Sequence, residues 1–278
     1  MNWYNDKTIV ITGAAGVLCR EMALSLANKG ARVALIGRTE APLNQLSEEI
    51  KLGGGMAFSV QSDVLNTKDL RSAQKRINQE FGPCDVLING AGGNHTSGTT
   101  SKSFLMHSDL NSDAGFQSFF DLDEDGVMDV FNLNFLGTFL PIQVFAKDMV
   151  GRKGCSILNI SSIAAEKSLT KVPAYSASKA AISNFTMWLS VHLGKEGIRV
   201  NALAPGFFLT TQNSRLLTNS DGSLSERGIR ILDNTPMGRF GEPKDLIGAL
   251  HWLCGDEAKF VTGIVVPIDG GFTAYSGV

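Results

Sequence analysis

The sequence predicts an α/β protein on a doubly wound parallel sheet with helices on both faces. Three observations predict it. Short apolar or β-branched runs alternate with longer amphipathic stretches along 278 residues. The first run ends in a glycine turn that opens a helix. Later runs end in small or polar residues at the carboxyl ends of strands, where open α/β sheets bind ligands.

The elements follow in order. Thr8–Thr12 is a β-branched strand ending at Gly13. The turn Gly13-Ala14-Ala15-Gly16-Val17-Leu18-Cys19 then enters a helix through Ala27, closed by Gly30. Strand, glycine turn and helix present backbone N–H groups to a phosphate, although a plain βα turn has the same pattern. Arg32–Gly37 is the second strand. An acidic residue at its end would take a ribose 2′-hydroxyl; the chain offers Gly37, Arg38 and Thr39 instead. Arg38 suits a 2′-phosphate or is a solvated charge. A helix over 42–52, a strand over 56–61 closed by Asp63-Val64, a helix over 68–81 and a strand over 85–88 follow. That strand leads into Asn89-Gly90-Ala91-Gly92-Gly93.

Residues 93–123 lose periodicity and read as a long polar loop of the kind that carries function. A helix is expected over 124–150, a fifth strand over 156–160 ending at Ser161-Ser162, and a helix from about 174 to Leu193. A sixth strand spans 199–203 before Pro205-Gly206. Residues 207–236 form a second mixed segment, and a helix over 243–254 and a strand over 264–268 complete the seven-stranded pattern. No linker divides residues 1–278, so one domain is expected.

Composition bounds the function. The chain is 43% hydrophobic and 19% charged with net charge -2, which gives no general attraction to nucleic acid or anionic membrane. The four Cys are scattered and suggest neither a disulfide framework nor a metal site. Met1–Lys7 is polar, and no leader or apolar segment long enough to cross a bilayer is expected, so the cytoplasm is the default location.

The chemistry centres on Tyr175 and Lys179, at i and i+4 of one helix face, with Ser162 thirteen residues earlier. A neighbouring ammonium favours phenolate, which would make Tyr175 a general acid/base near neutral pH. Taken alone, the pair is equally a surface Tyr and Lys on an ordinary helix.

Together the landmarks resemble the short-chain dehydrogenase/reductase family across nearly the whole chain. They are Thr12-Gly13 with Gly16, Asp63-Val64, Asn89-Gly90-Ala91-Gly92, Asn134, Ser162, Tyr175 with Lys179, Pro205-Gly206 with Thr210, and Asp269-Gly270-Gly271. The resemblance implies a single Rossmann domain that exchanges a hydride between a nicotinamide cofactor and an alcohol or ketone. It implies that Tyr175 handles the substrate proton, Lys179 lowers the Tyr175 pKa and holds the nicotinamide ribose, Ser162 holds the substrate oxygen, and Asn134 holds a relay water. It further implies that Gly13, Gly16, Val17, Leu18, Arg38, Asp63, Val64, Asn89, Gly90 and Ala91 line the cofactor with Pro205, Gly206 and Thr210. NADP(H) is favoured through Arg38, with NAD(H) as the other choice. Two departures stand out. The family's TGxxxGxG has its second glycine one residue early here and Cys19 in the last place; its Asn-Asn-Ala-Gly reads Asn89-Gly90-Ala91-Gly92.

Several stretches, among them Asn89–His95 and Pro205–Thr210, resemble the D-mannonate oxidoreductase (fructuronate reductase) subgroup. A sugar acid needs polar, partly cationic surroundings. Asn94 and His95 are expected to contact it, the alternative for His95 being a bond to local backbone. Lys167, Lys171, Gln212, Asn213 and Arg215 are further candidates. A 3-oxoacyl or other ketone reductase is the alternative, which Phe207, Phe208 and Leu209 favour; a cofactor-sensing regulator is the alternative of another class. The family resemblance implies a homotetramer or homodimer through the long central helices, and apolar residues on several faces of the helices near 124–150 and 174–193 are consistent with it.

Overall fold

The strands are β1 (Thr8–Thr12), β2 (Arg32–Gly37), β3 (Met56–Gln61), β4 (Val86–Asn89), β5 (Ser156–Ile160), β6 (Arg199–Pro205) and β7 (Val265–Ile268). They pair in parallel as one sheet in the order β3-β2-β1-β4-β5-β6-β7. The computed structural model describes residues 3–111, 115–210 and 217–277. Every residue of β1, β4, β5 and β6 is buried, as parallel strands covered on both faces require. The winding direction reverses between β1 and β4, and the crevice above their carboxyl ends is the expected ligand site.

Among the described residues the helices are α1 (Val17–Asn28), α2 (Glu40–Leu52), α3 (Thr67–Glu80), α4 (Glu124–Phe131), α5 (Gly137–Phe145), α6 (Pro173–Leu193), α7 (Glu226–Asp233) and α8 (Ile247–Cys254). Alternate residues of each strand face opposite sides. Ile9 and Ile11 pack with Met22 and Leu26 of α1, Leu46 of α2 and Leu250 of α8. Val10 packs on the other side with Ile77 of α3, Phe145 of α5 and Leu189 of α6.

Three expectations change. The helix read over 124–150 is continuous only over Glu124–Asp148 and is broken by a π turn at Asn132–Leu136 between α4 and α5. Pro141 lies inside α5 and has no N–H to return to the preceding turn. This 25-residue stretch, with a mean hydropathy of 1.2 over an 18-residue window, is long and apolar enough to cross a bilayer by length and composition, contrary to the sequence expectation. In the fold, Ile142, Val144 and Phe145 bury its inner side against the sheet and α3. The mixed segment 207–236 contains α7, which starts where Ser225 Oγ accepts from Gly228 N at 3.1 Å. Only Gly228 and Ile231 of α7 are buried, too few to impose a readable period.

The 93–123 loop carries short 3₁₀ turns at Thr96–Gly98, His107–Asn111 and Phe119–Asp121. Thr100 N donates to Lys171 O at 2.9 Å, which docks the loop on the segment between Ser162 and Tyr175.

Candidate active site

The loops that follow β1, β2, β3, β4, β5 and β6, with the first turns of α6, line a cavity of about 890 Å³. Its floor is set by β1 and β4. Thr12 Oγ1 accepts from Gly90 N at 3.2 Å and from Ala91 N at 3.3 Å, binding the two strand ends together. Gly13 takes φ +64°, and a Cβ there would come within 2.8 Å of the Ala91 backbone. Gly16 is the N-cap of α1 but supplies no side-chain cap, and no acidic residue follows in the first turn. The α1 N–H groups at Val17 and Leu18 are therefore open toward the cavity, a site suited to a diphosphate.

The catalytic candidates come from three elements. Pro173 begins α6 with its preset φ, which places Tyr175 and Lys179 one turn apart on the cavity side. The end of β5 supplies the serines, and here the structure separates them. Ser161 Oγ is shared between Ser183 Oγ at 2.7 Å and Lys179 O at 3.2 Å, so it ties α6 to the sheet. Ser162 Oγ accepts from Ala164 N at 3.2 Å, and its hydroxyl lies close enough to Tyr175 to pull that phenol's pKa down. Lys179 is 4% exposed and donates from Nζ to Ile160 O at 2.8 Å. Burial pulls its pKa down to about 8, opposed by nearby Cys19.

The expectation that Lys179 lowers the Tyr175 pKa is corrected. Burial raises the phenol and the Ser162 hydrogen bond lowers it. The ammonium lies 5.6 Å from the ring centroid and is engaged by the Ile160 carbonyl. In this geometry the Ser162 hydroxyl favours phenolate, and burial outweighs it.

Asn134 sits in the π turn, fully buried. Its Nδ2 donates to Gly93 O and Val130 O, each at 2.7 Å, and its Oδ1 accepts from Gly93 N at 3.2 Å. That side chain therefore holds the Gly92–Gly93 loop and does not reach the cavity wall. A Cβ on Gly92 would come within 2.7 Å of Asn134 Oδ1 and 3.3 Å of Lys179 Nζ, which is why the loop is glycine there.

Most predicted residues meet in this cavity: Gly13, Gly16, Val17, Leu18, Arg38, Val64, Gly90, Ala91, Asn94, Ser162, Tyr175, Lys179, Pro205, Gly206 and Thr210. Four do not. Asp63 Oδ1 accepts from Leu65 N in a local turn. Asn89 is buried and donates to Asn159 Oδ1 at 2.9 Å; Asn159 in turn donates to Thr186 of α6, so Asn89 braces the sheet. Asn134 braces the loop as described. His95 is exposed, and its Nδ1 meets Ser97 Oγ at 2.6 Å, capping a 3₁₀ turn away from the cavity. Lys167 and Lys171 also lie outside its lining, and Gln212, Asn213 and Arg215 lie outside the described residues. The sequence reading missed Leu169 and Arg227. The signal for Arg227 was the Ser225 N-cap one residue before Glu226, which marks the start of α7.

Residues 7–221 match the family model for short chain dehydrogenases. The chain belongs to the short-chain dehydrogenase family. A Haemophilus influenzae structure described provisionally as a D-mannonate oxidoreductase, with NAD bound, superposes with TM-score 0.94 at 48% identity, covering 99% of this chain and 97% of that one. An uncharacterized oxidoreductase of Bacillus subtilis is 50% identical over 98% of this chain and 96% of its own length. A Burkholderia cenocepacia gluconate 5-dehydrogenase structure, in complex with NADP and tartrate, has TM-score 0.83 at 25% identity over 98% of each chain. This dehydrogenase therefore uses a nicotinamide cofactor and acts on an alcohol group or the matching carbonyl. Its own residues fit that group: the open α1 N-terminus, the Gly13 and Gly92 positions with no room for a side chain, and the buried Lys179 all face one cleft.

Proposed function

We propose that this dehydrogenase interconverts D-mannonate and D-fructuronate, with Tyr175, Ser162 and Lys179 as its catalytic residues. The observation that carries the reading is that Ser162, Tyr175 and Lys179 line one cavity together with the glycine turn. A bound nicotinamide supplies the hydride in reduction and accepts it in oxidation. Tyr175 Oη gives a proton to the carbonyl oxygen, or takes it from the alcohol in reverse. Ser162 Oγ donates to the same oxygen and stabilises the charge that develops on it. Lys179, with a pKa near 8, moves a proton to or from the Tyr175 side at neutral pH while its Nζ orients the ribose. Asn134 is a positioning residue for Gly93. Gly13, Gly16, Val17, Leu18, Gly90 and Ala91 hold the diphosphate and adenosine side, with Val64, Pro205, Gly206 and Thr210 around the remainder. Arg38, with no carboxylate at the β2 end, favours NADP(H), and NAD(H) remains usable.

Similarity to the Haemophilus structure supports the sugar acid, as does Asn94 on the cavity wall. Of the apolar residues behind the ketone-reductase alternative, Phe207 and Phe208 line the cavity and Leu209 does not. Phe208 is buried in the core, and Phe207 packs edge-on against Phe272 with centroids 5.1 Å apart. The deciding experiment is a panel of NADPH and NADH oxidation rates against keto-uronates, keto sugars and 3-oxoacyl esters. D-Fructuronate is expected to give the highest kcat/KM; a 3-oxoacyl ester turned over faster rejects the reading.

We also propose a homodimer or homotetramer, working in the cytoplasm. An aromatic ladder runs from Phe131 through Phe135 and Phe185 to Trp188, which is 57% exposed beside Val191 at 82%. Such a patch on α6 suits a second copy. A monomer by light scattering would reject it.

A further inference from the structure

We infer that Arg227 binds the carboxylate of the substrate. This rests on the sugar-acid reading and extends it to a residue outside the Tyr-Lys centre. Arg227 stands in the first turn of α7 and lines the same cavity as Ser162, Leu169 and Tyr175. Its Nη1 donates to Thr170 Oγ1 at 3.1 Å and its Nη2 reaches Thr170 O at 3.5 Å. Thr170 belongs to the segment joining Ser162 to Tyr175, so the guanidinium is fastened to the wall that carries the reacting groups.

The charge balance around Arg227 points to an anion. No described carboxylate forms an ion pair with it. The neighbouring charge is Arg230, a like charge, which is itself paired with Glu226 at 2.6 Å. Burial and Arg230 both pull the Arg227 pKa down. The guanidinium nonetheless stays protonated at any working pH. A cation in the first turn of a helix also faces the positive end of the helix dipole. A half-buried charge with these neighbours is costly unless an anion completes it. The fork of remaining N–H donors matches a carboxylate, and Thr170 fixes the plane in which it is presented. The cavity thus selects acids over neutral sugars of the same length.

The test compares the wild-type full chain with R227Q and R227K, using D-fructuronate and the neutral ketohexose D-fructose as substrates with NADPH. R227Q is expected to raise KM for the acid by about 10- to 100-fold, the loss expected for a hydrogen bond to a charged group. Its kcat, its NADPH Kd and its activity on the neutral sugar are expected to stay within about twofold of wild type, so the acid-to-neutral ratio collapses. R227K, which keeps the charge but not the fork, is expected to fall between them; it carries the comparison if R227Q fails to bind NADPH. Equal effects on both substrates, or no change in KM for the acid, overturn the inference while leaving the function intact. A wild-type enzyme that turns over no keto-acid rejects the functional reading, and the carboxylate role with it.

Discussion

Cys19 Sγ occupies the space that a Cβ on Gly90 would need. Cys19 stands where the family motif has a glycine, and Gly90 where it has an asparagine. The two departures are one exchange of volume between α1 and the end of β4. Cys19 is fully buried and its thiol is pushed up to about 12 by that burial, so it fills space as a neutral group. Substituting Gly90→Asn alone forces a side chain into an occupied site and is expected to cost at least 1–3 kcal/mol, roughly the penalty of overpacking. Cys19→Gly alone opens a hole beside the glycine turn. The double variant, Cys19→Gly with Gly90→Asn, is expected to recover most of the loss. Chemical denaturation of the four proteins in a double-mutant cycle checks it; additive losses would show that the sites are independent.

Lys179 keeps a charge where the fold would be more stable without one. Its folded pKa of about 8 lies below the 10.5 of an ordinary lysine. The unfolded chain therefore binds more protons between those values, and stability rises with pH across that window. Below about pH 8 the cost of the buried ammonium is fully present. Lys179→Met is expected to be more stable than wild type at pH 7 by about 2 kcal/mol, after allowance for the Ile160 carbonyl left without its donor. Between pH 7 and pH 10.5 the difference should shift by about 3 kcal/mol in favour of wild type, which reverses the order of stability. Urea unfolding at both pH values measures this. The same variant should lose activity at every pH.

His95 is the substrate contact that the structure moves elsewhere. Its ring is held by Ser97 and caps the turn at Thr96–Gly98. His95→Ala should leave kcat and KM for the best substrate unchanged and lower stability by about 1 kcal/mol, as for a lost cap. A tenfold rise in KM would return His95 to the substrate site. Steady-state kinetics beside a thermal melt separates the two outcomes.

These cases mark how far the sequence could be read. The bounds of β1, β2 and β5 were legible because each is a short, wholly or largely buried run closed by a turn residue. The meeting of Ser162, Tyr175 and Lys179 was legible because a strand end and an i, i+4 helix pair restrict where side chains point. The division of labour between Ser161 and Ser162 was suggested by spacing, but its cause, the Ser183 and Lys179 backbone partners on α6, is tertiary. Tyr175 illustrates the opposite failure. Proximity to Lys179 predicted a lowered pKa, whereas burial, which spacing does not report, dominates. Cys19 and Gly90 read as two separate anomalies because 71 residues part them in the chain and only strand pairing brings them together. Arg227 was hidden because α7 buries too little to show a helical period.

Arg38 decides the cofactor prediction. It lines the cavity at the end of β2, and its backbone carbonyl accepts from Gln61 Nε2 at 2.9 Å, which fixes the chain path there. The neighbours Gly37 and Thr39 provide no carboxylate to repel a 2′-phosphate or to receive a ribose 2′-hydroxyl. The wild-type Kd should therefore be lower for NADPH than for NADH. Arg38→Asp replaces a phosphate-pairing cation with an acceptor for the hydroxyl and repels the phosphate. It should erase or reverse the preference, weakening NADPH by about 10- to 100-fold, as expected for the loss of a charge-assisted contact. Fluorescence titration of both cofactors into both proteins measures it. The Haemophilus structure at 48% identity holds NAD, so the native ratio is the more demanding half of the test. A wild-type preference for NADH would assign Arg38 to solvent, because a guanidinium that met the 2′ position would gain more from a phosphate than from a hydroxyl.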